Sequence, residues 1–538
     1  MMSPERPTTP ILHSVYIDEE KCNGCVVCTR ACPAKAIRIR QDKAVILQRL
    51  CIDCGECIRV CPRDAVIPRL STYQDISSFK VTAILPSTVL YTQFGDNVLP
   101  NEALLALSKC GFDHVFDLAK YCEWVNLATW DWLGSHPEVE TGIAPTCPVV
   151  VRLVAARFPA LIPNIVPIEP PRETGGKHVR RVLSRRLNVA EDEIGVFHLT
   201  PCAAKIVAIT QPMMRYKSAL NGALGMDGLY GDILKTLRSL TEDDRDTVLF
   251  QSGGFGISRA IGHQDGAEKS LSVDGLAETL DVLEQIESGR LRDVRYVDCR
   301  VCQGGCLGGT LTVENRYLAE VTLDNLVQMF GTRHRVRASD IESLLAEGFF
   351  LTDRKVEPII RSLDKDPIRA MAKLRKVDQI ETRLPGKLCA VCGAPDCRTL
   401  AEDVVLGKAD LFVCPLSFRL RTWGRHKMKL SEIVDKLQLT VLTEKAGLDR
   451  NVTGVYSGDL ISDVMSNSRE GQLWVTLQAH PNVVAVACLR ELSGVVVVNQ
   501  RTPTEETIIK AEQEGLPIMG TDLPAYEICG RLYSLLAG

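Results

Sequence analysis

Apolar and polar positions follow several regimes along this chain. Val81–Leu85 and Thr247–Phe250 are apolar runs of strand length, set among stretches with helical spacing, so residues 78–340 read as mixed α/β. Residues 341–380, with IESLLAEGFF and IRAMAKLRKVDQIETR, are charged and helical in pattern and read as a connecting arm. Near the C-terminus, VVAVACL, GVVVVN, EETIIKAEQEG and LPIMGTD read as strand, strand, helix, strand, a small α/β domain with a buried sheet. No apolar run reaches ~18 residues, so no membrane span is expected. The start, MMSPERPTTPILHSV, lacks the apolar region of a secretory signal, which points to the cytoplasm. The only internal repetition is a paired cysteine motif.

The length of 538 residues suggests roughly two to four domains. A hydrophobic share of 45% and a charged share of 24% argue against wholesale disorder. With a net charge of -4, no basic field draws the chain to nucleic acid. Cysteine changes the picture. There are 21, most of them clustered, and a cytosolic chain is not expected to be disulfide-rich, so the clusters point to metal.

Cys22, Cys25, Cys28 and Cys32 follow C-x2-C-x2-C-x3-C-P, and Cys51, Cys54, Cys57 and Cys61 repeat it. This is the spacing of a bacterial two-cluster ferredoxin, in which the fourth cysteine of each run reaches the other cluster. Cluster one is thus expected on Cys22, Cys25, Cys28 and Cys61, and cluster two on Cys51, Cys54, Cys57 and Cys32. Zinc also takes four thiolates, but it does not require the interleaved repeat with its trailing proline. The module, residues 1–75, reads as an electron wire.

Three further motifs lie far apart: APTCP around Cys147, TPCAAK around Cys202, and CQGGCLGG with Cys302 and Cys306. In this order, behind a ferredoxin module, they resemble the active-site domain of the iron-iron (FeFe) hydrogenases over residues 1–340. The resemblance implies that Cys147, Cys202, Cys302 and Cys306 hold a 4Fe-4S cluster. It implies that Cys306 bridges to a diiron unit carrying carbon monoxide, cyanide and a dithiolate, installed by hydrogenase maturation proteins. Lys205 matches the family lysine that donates to cyanide, against the alternative of a surface lysine. Pro86 and Ser87 match a segment facing cyanide. Gly304 and Gly305 would admit a bulky cluster. Gly253 and Gly254 resemble a glycine-rich segment beside it, or form an ordinary turn.

The sequence also departs from the family. Thr146 stands where catalytic members have a proton-relay cysteine, and a hydroxyl is far less acidic than a thiol of pKa ~8.5. Residues 124–137 hold no glutamate where an E-x-x-E relay is expected, only Asp131. Thr200 and Arg300 replace family methionines; Arg300 either makes the pocket cationic or turns away to a carboxylate. Cys389, Cys392, Cys397 and Cys414 resemble a further small 4Fe-4S domain over residues 381–425, with zinc as the alternative. Residues 430–538 resemble the DRTGG domain through Asp449–Gly454, a module often met in regulatory proteins. Asp459, Asp463 and His480 read as capping or surface residues. Cys110, Cys122, Cys299, Cys488 and Cys529 read as buried free thiols.

The fold class expected is multidomain α/β and α+β: ferredoxin-like module, FeFe-hydrogenase-like core, helical linker over 341–380, small 4Fe-4S domain and small α/β DRTGG domain. Four 4Fe-4S clusters and the diiron unit are the expected cofactors. The expected reaction is oxidation of H2 to two protons and two electrons, reversible but slow for want of a proton relay. Its use would be hydrogen or redox sensing with a redox or signalling protein as partner. The alternatives are a dedicated electron-transferring hydrogenase and a hydrogenase-like iron-sulfur assembly protein that is no enzyme.

Overall fold

A computed structural model of the protein describes residues 13–48, 50–258, 269–359, 363–416, 428–444 and 446–537. The chain divides into two units: the first runs to Ala370 and takes in Leu388–Pro395, and the second comprises Met371–Lys387 and the residues from Asp396 onward.

The first unit begins with β1 (Val15–Ile17), followed by the hairpin β2 (Ile37–Arg40) and β3 (Lys43–Ile46), and β4 (Val66–Pro68). β1 and β4 pair antiparallel, as do β2 and β3. Gln41 and Asp42 both have positive φ, 49° and 58°, as a two-residue hairpin turn requires. Two short helices, Val27–Ala31 and Glu56–Arg59, carry Cys28 and Cys57. Each is preceded by a left-handed residue, Val26 or Gly55, so the cysteine runs fold alike.

Next comes a four-stranded parallel sheet of order β6-β5-β8-β9, built from β5 (Val81–Pro86), β6 (His114–Val115), β8 (Ile194–Thr200) and β9 (Gly222–Gly225). A second parallel sheet has the order β10-β11-β7, with β7 (Gly142–Ile143), β10 (Ser270–Asp274) and β11 (Tyr296–Arg300). β8 and β11 are buried along their whole length, because helices cover both sheets. Ile341, Phe349 and Phe350 belong to the same core, with Glu169 donating its N–H to the Phe350 carbonyl.

The run Thr247–Phe250 is not a strand. The Asn101 side-chain oxygen accepts the N–H groups of Leu249 and Phe250, at 2.8 and 3.0 Å, in place of a neighbouring strand.

The second unit holds β12 (Met428–Lys429) and β14 (Asn451–Val452) as one antiparallel pair. Its main sheet has the order β13-β18-β17-β16-β15, from β13 (Thr440–Val441), β15 (Gly454–Ser457), β16 (Gln472–Thr476), β17 (Gly494–Val497) and β18 (Ile518–Gly520). All its pairings are parallel except β13 with β18. VVAVACL, expected as a strand, is the helix Asn482–Leu489, with Val483, Val484, Val486 and Ala487 buried. A uniformly apolar run carries no period to separate buried helix from buried strand. Asp459 accepts from Thr476 Oγ and the Leu477 N–H, and His480 Nδ1 accepts from the Asn482 N–H, so both have loop-tying roles.

Among the described residues, no helix is long and apolar enough to cross a membrane.

Candidate functional site

The two N-terminal cysteine runs interleave. Cys22, Cys25, Cys28 and Cys61 line one cavity, together with Pro62 and Ala44. Burial pushes the Cys28 thiol up to about 11, and Cys25, Cys22 and Cys61 add to the rise. Burial likewise pushes Cys54 up to about 12, and Cys32 is among the charges adding to it. Cys57 is raised by burial and then by Cys54, Cys32 and Cys28. Sulfurs gathered in this way suit a cationic metal core, which takes them as thiolates. Backbone donors already face the sulfurs in matching fashion: Ala36 N–H to Cys32 and Ala65 N–H to Cys61, each at 3.2 Å.

The module is fastened to the core by a residue with no motif of its own. Asp53, buried, takes the Ser14 N–H at 2.8 Å and an ion pair from Arg152 at 2.7 Å. Arg152 lies on the helix Pro148–Arg157, which begins immediately after Cys147.

The core cysteines come from the carboxyl ends of parallel strands. Cys147 follows β7, Cys202 follows β8, and Cys302 and Cys306 follow β11. Burial raises the Cys147 thiol, with Cys306 and Cys202 adding to it. Burial raises Cys302 too, with Cys202, Cys147 and Cys306 adding. The four thus stand within electrostatic reach of one another.

Beside Cys306 opens a cavity of about 70 Å³. Ser87, Thr146, Lys205 and Arg300 all line it, with Cys122, Arg172 and His198. Ser87 is buried at the end of β5 and donates its N–H to the Leu199 carbonyl at 2.9 Å. Lys205 is no surface lysine: it is 7% exposed, with Nζ 3.9 Å from the Cys306 sulfur. Arg300 both lines the cavity and pairs with Asp298 at 2.6 Å. Burial opposes its charge, but Asp298 and then Cys306 outweigh it and raise its pKa. His198 Nδ1 lies 2.8 Å from the Leu85 carbonyl, so it carries the proton, and Nε2 is left as a buried acceptor without a partner. Burial, then Lys205 and Arg172, hold His198 far below the usual imidazole range, hence neutral.

Other residues singled out from the sequence stand off the cavity wall. Pro86 ends β5. Gly304 and Gly305 have φ of 76° and 61° and shape the turn carrying Cys306. A Cβ on Gly254 would lie 2.5 Å from the Gly331 carbonyl oxygen, so this glycine serves close packing against the helix Arg316–Phe330. Gly253 caps the short helix Gly254–Ile257. Thr200 Oγ bonds the Cys202 carbonyl at 2.9 Å, inside the turn.

Residues 124–137 hold no glutamate, but the helix begins earlier, at Ala119, and carries Glu123. Glu123 is fully buried and accepts the N–H groups of Gly253, Arg335 and Val336, at 3.3, 2.7 and 3.1 Å. Cys122 beside it is a cavity thiol rather than packing alone; burial and Asp117 push it up to about 12 against Arg300 and Lys205. Cys299, by contrast, is wholly buried on β11, its thiol bonded to Thr279. Nothing in the sequence pointed to Arg172 or His198, which sit in no motif of fixed spacing.

Of the four cysteines 389–414, Cys389 and Cys392 belong to the first unit and Cys397 and Cys414 to the second. Gly393, with φ of 79°, accepts the Ile39 N–H on its carbonyl at 2.8 Å. Cys397 opens a helix capped by Asp396.

Residues 81–230 match the family model of the iron only hydrogenase large subunit, C-terminal domain. Residues 14–62 match a 4Fe-4S dicluster domain, and residues 384–416 match a family model for an Fe-S cluster segment. These three stretches are thus similar to iron-sulfur and iron only hydrogenase families. No curated protein matches the chain. Among solved structures, a variant of the FeFe-hydrogenase from Chlamydomonas reinhardtii aligns at 14% identity, covering 53% of this chain and 98% of the other, with a TM-score of 0.42. The CBS and DRTGG domains of a Clostridium perfringens pyrophosphatase align at 17% identity over 19% of this chain and 45% of theirs, with a TM-score of 0.17. Both likenesses are loose.

Proposed function

We propose that the hydrogenase-like domain holds a diiron unit in the cavity over Cys306 and reacts with H2 slowly, as a hydrogen or redox sensor. One observation carries this reading: Lys205 and Ser87 converge with Cys306 on a single buried cavity beside the other three core cysteines. The residues fit such a group. Lys205 is a buried cation with no carboxylate on it among the described residues, so an anionic ligand such as cyanide would compensate it. When bound, a diiron dithiolate supplies the centre at which H2 gives two protons and two electrons. The chain's own part is to hold that group and move the protons. Thr146, with a hydroxyl in place of a thiol, is a poor proton carrier, and loss of a general acid/base costs ~10²–10⁴ in rate. Electrons would leave through the cubanes, the N-terminal module being fastened to the core by Asp53 and Arg152. The 389–414 cysteines would carry a fourth cubane, and the tail, with its DRTGG-like stretch, a regulatory output to a partner protein.

Infrared spectra of protein produced with the hydrogenase maturation factors test this. Bands of iron-bound carbonyl and cyanide, with H2 evolution about a hundredfold below that of a catalytic hydrogenase assayed alike, are expected. Absence of those bands would point to the assembly-protein alternative. A second reading, a working hydrogenase, is favoured by Cys122, which puts another thiol on the same cavity wall. Rates equal to those of a catalytic hydrogenase would support it.

A further inference from the structure

Arg172 stands in the first turn of the helix Pro171–Leu187 and is 6% exposed. Its Nη1 donates to the Thr146 carbonyl at 3.2 Å, and its Nε is buried with no partner. The adjacent carboxylate of Glu173 is taken up elsewhere, by Arg215 at 2.7 Å, Ser218 at 2.8 Å and the Ala219 N–H at 2.9 Å. Three unfavourable conditions therefore meet on one guanidinium. It is a buried charge, it sits at the positive end of a helix, and one donor is unmet. A neutral donor would hold the Thr146 carbonyl equally well, so that bond does not explain a cation here.

The surroundings do explain it. Arg172 lines the same cavity as Lys205 and Arg300, and among the described residues no Asp or Glu lines that cavity. Arg300 is compensated by Asp298. Burial lowers the Arg172 pKa, and the charges that oppose this are Glu173 and then Cys202, Cys147 and Cys306. Two buried cations, Arg172 and Lys205, thus face one space, with Lys205 Nζ 3.9 Å from the Cys306 sulfur.

We propose that Arg172 is a second cationic donor of this cavity: its Nε–H binds the anionic group held over Cys306, and with Lys205 it selects a group bearing two negative charges. This rests on the proposed function. Arg172 is a positioning residue that acts on the bound group through charge and one hydrogen bond.

The test uses the full chain with its cubanes reconstituted, loaded with a synthetic dianionic diiron dithiolate that carries carbonyl and cyanide ligands. Parent, Arg172→Met and Arg172→Lys are compared by infrared spectroscopy and by titration of uptake. Removing a charged donor should weaken uptake roughly tenfold or more. It should also move the carbonyl bands to lower wavenumber, because a nearby cation withdraws electron density from the irons. Arg172→Lys keeps the charge without the planar fork and should fall between parent and Arg172→Met. A purely structural arginine would leave the band positions of the loaded fraction unchanged. If the parent loads and both variants match it in bands and uptake, the inference is overturned and the proposed function stands. If the parent takes up no diiron group, the proposed function falls and the inference with it.

Discussion

Replacing Glu123 by alanine should free two chain segments at once. Its carboxylate accepts one N–H from Gly253 and two from Arg335 and Val336, and its side chain is fully buried. Alanine leaves three donors, that of Gly253 buried, without this acceptor. Each loses a charge-assisted bond worth about 1–2 kcal/mol net, so the segments together lose about 3–6 kcal/mol of protection. If they open locally, their amides should exchange roughly 10²- to 10⁴-fold faster, at 1.4 kcal/mol per decade. Hydrogen exchange read by mass spectrometry on peptides covering residues 249–258 and 331–340 measures this directly. Peptides from β5 and β8 serve as internal controls. The cavity should respond as well, because Ile257, on its wall, follows Gly253 by a single helical turn. Exchange that stays within about threefold of the parent in both segments would refute the anchor role. Glu123→Gln keeps the shape but offers one acceptor oxygen, and should lie between the two.

Fully reconstituted protein should carry the iron and labile sulfide of four cubanes, from sixteen cysteines in four sets, before any diiron iron is counted; a value near two would contradict both the core set and the 389–414 set. Cys306→Ala should abolish carbonyl and cyanide infrared bands while the N-terminal cluster signals persist, and persistence of the bands would show the third motif to be misaligned. Thr146→Cys should raise H2 evolution if the first proton step is limiting, and Cys122→Ala should lower the residual rate by ~10²–10⁴ if that thiol carries the proton. Burial pushes the Glu169 carboxyl up to about 7, against Arg215 and Lys177. A carboxyl raised in the fold contributes stability that is fully present below its ordinary value of 4.5 and is lost as pH rises through about 7. Infrared difference spectra should show a protonated carboxyl band that disappears over that range and is missing in Glu169→Gln.

The parts of this protein that announce themselves do so through spacing. Cysteines at fixed intervals mark where metal can be held, and the structure does bring Cys147, Cys202, Cys302 and Cys306 within reach of one another across three strand ends. The run VTAIL became β5 because both faces of its sheet are covered. VVAVACL was open to misreading for the same physical reason: continuous apolarity erases the period that separates strand from helix. Thr247–Phe250 has strand-like composition, but its backbone is satisfied by a distant side chain, Asn101, which no local pattern reveals. Glu123, Arg172 and His198 share this character. Each is a single polar residue whose meaning lies in total burial and in what stands opposite it after folding. Burial of a lone Glu or Arg is rare enough to be informative once seen, but it leaves no mark on the sequence.

The origin of the core cysteines has a mechanical side. Cys202 leaves the sheet that contains β5 and β8, whereas Cys147, Cys302 and Cys306 leave the sheet that contains β7 and β11. A cubane on these four sulfurs would be a rivet through two separate plates. Neither plate alone presents a full set of holes, so the rivet can be driven only after both have been formed and aligned. Iron loading would then be a checkpoint on the assembly of the core. Drawing the rivet out would let the plates slide, which limited proteolysis of the core with and without its clusters would register as new cut sites between β8 and β11.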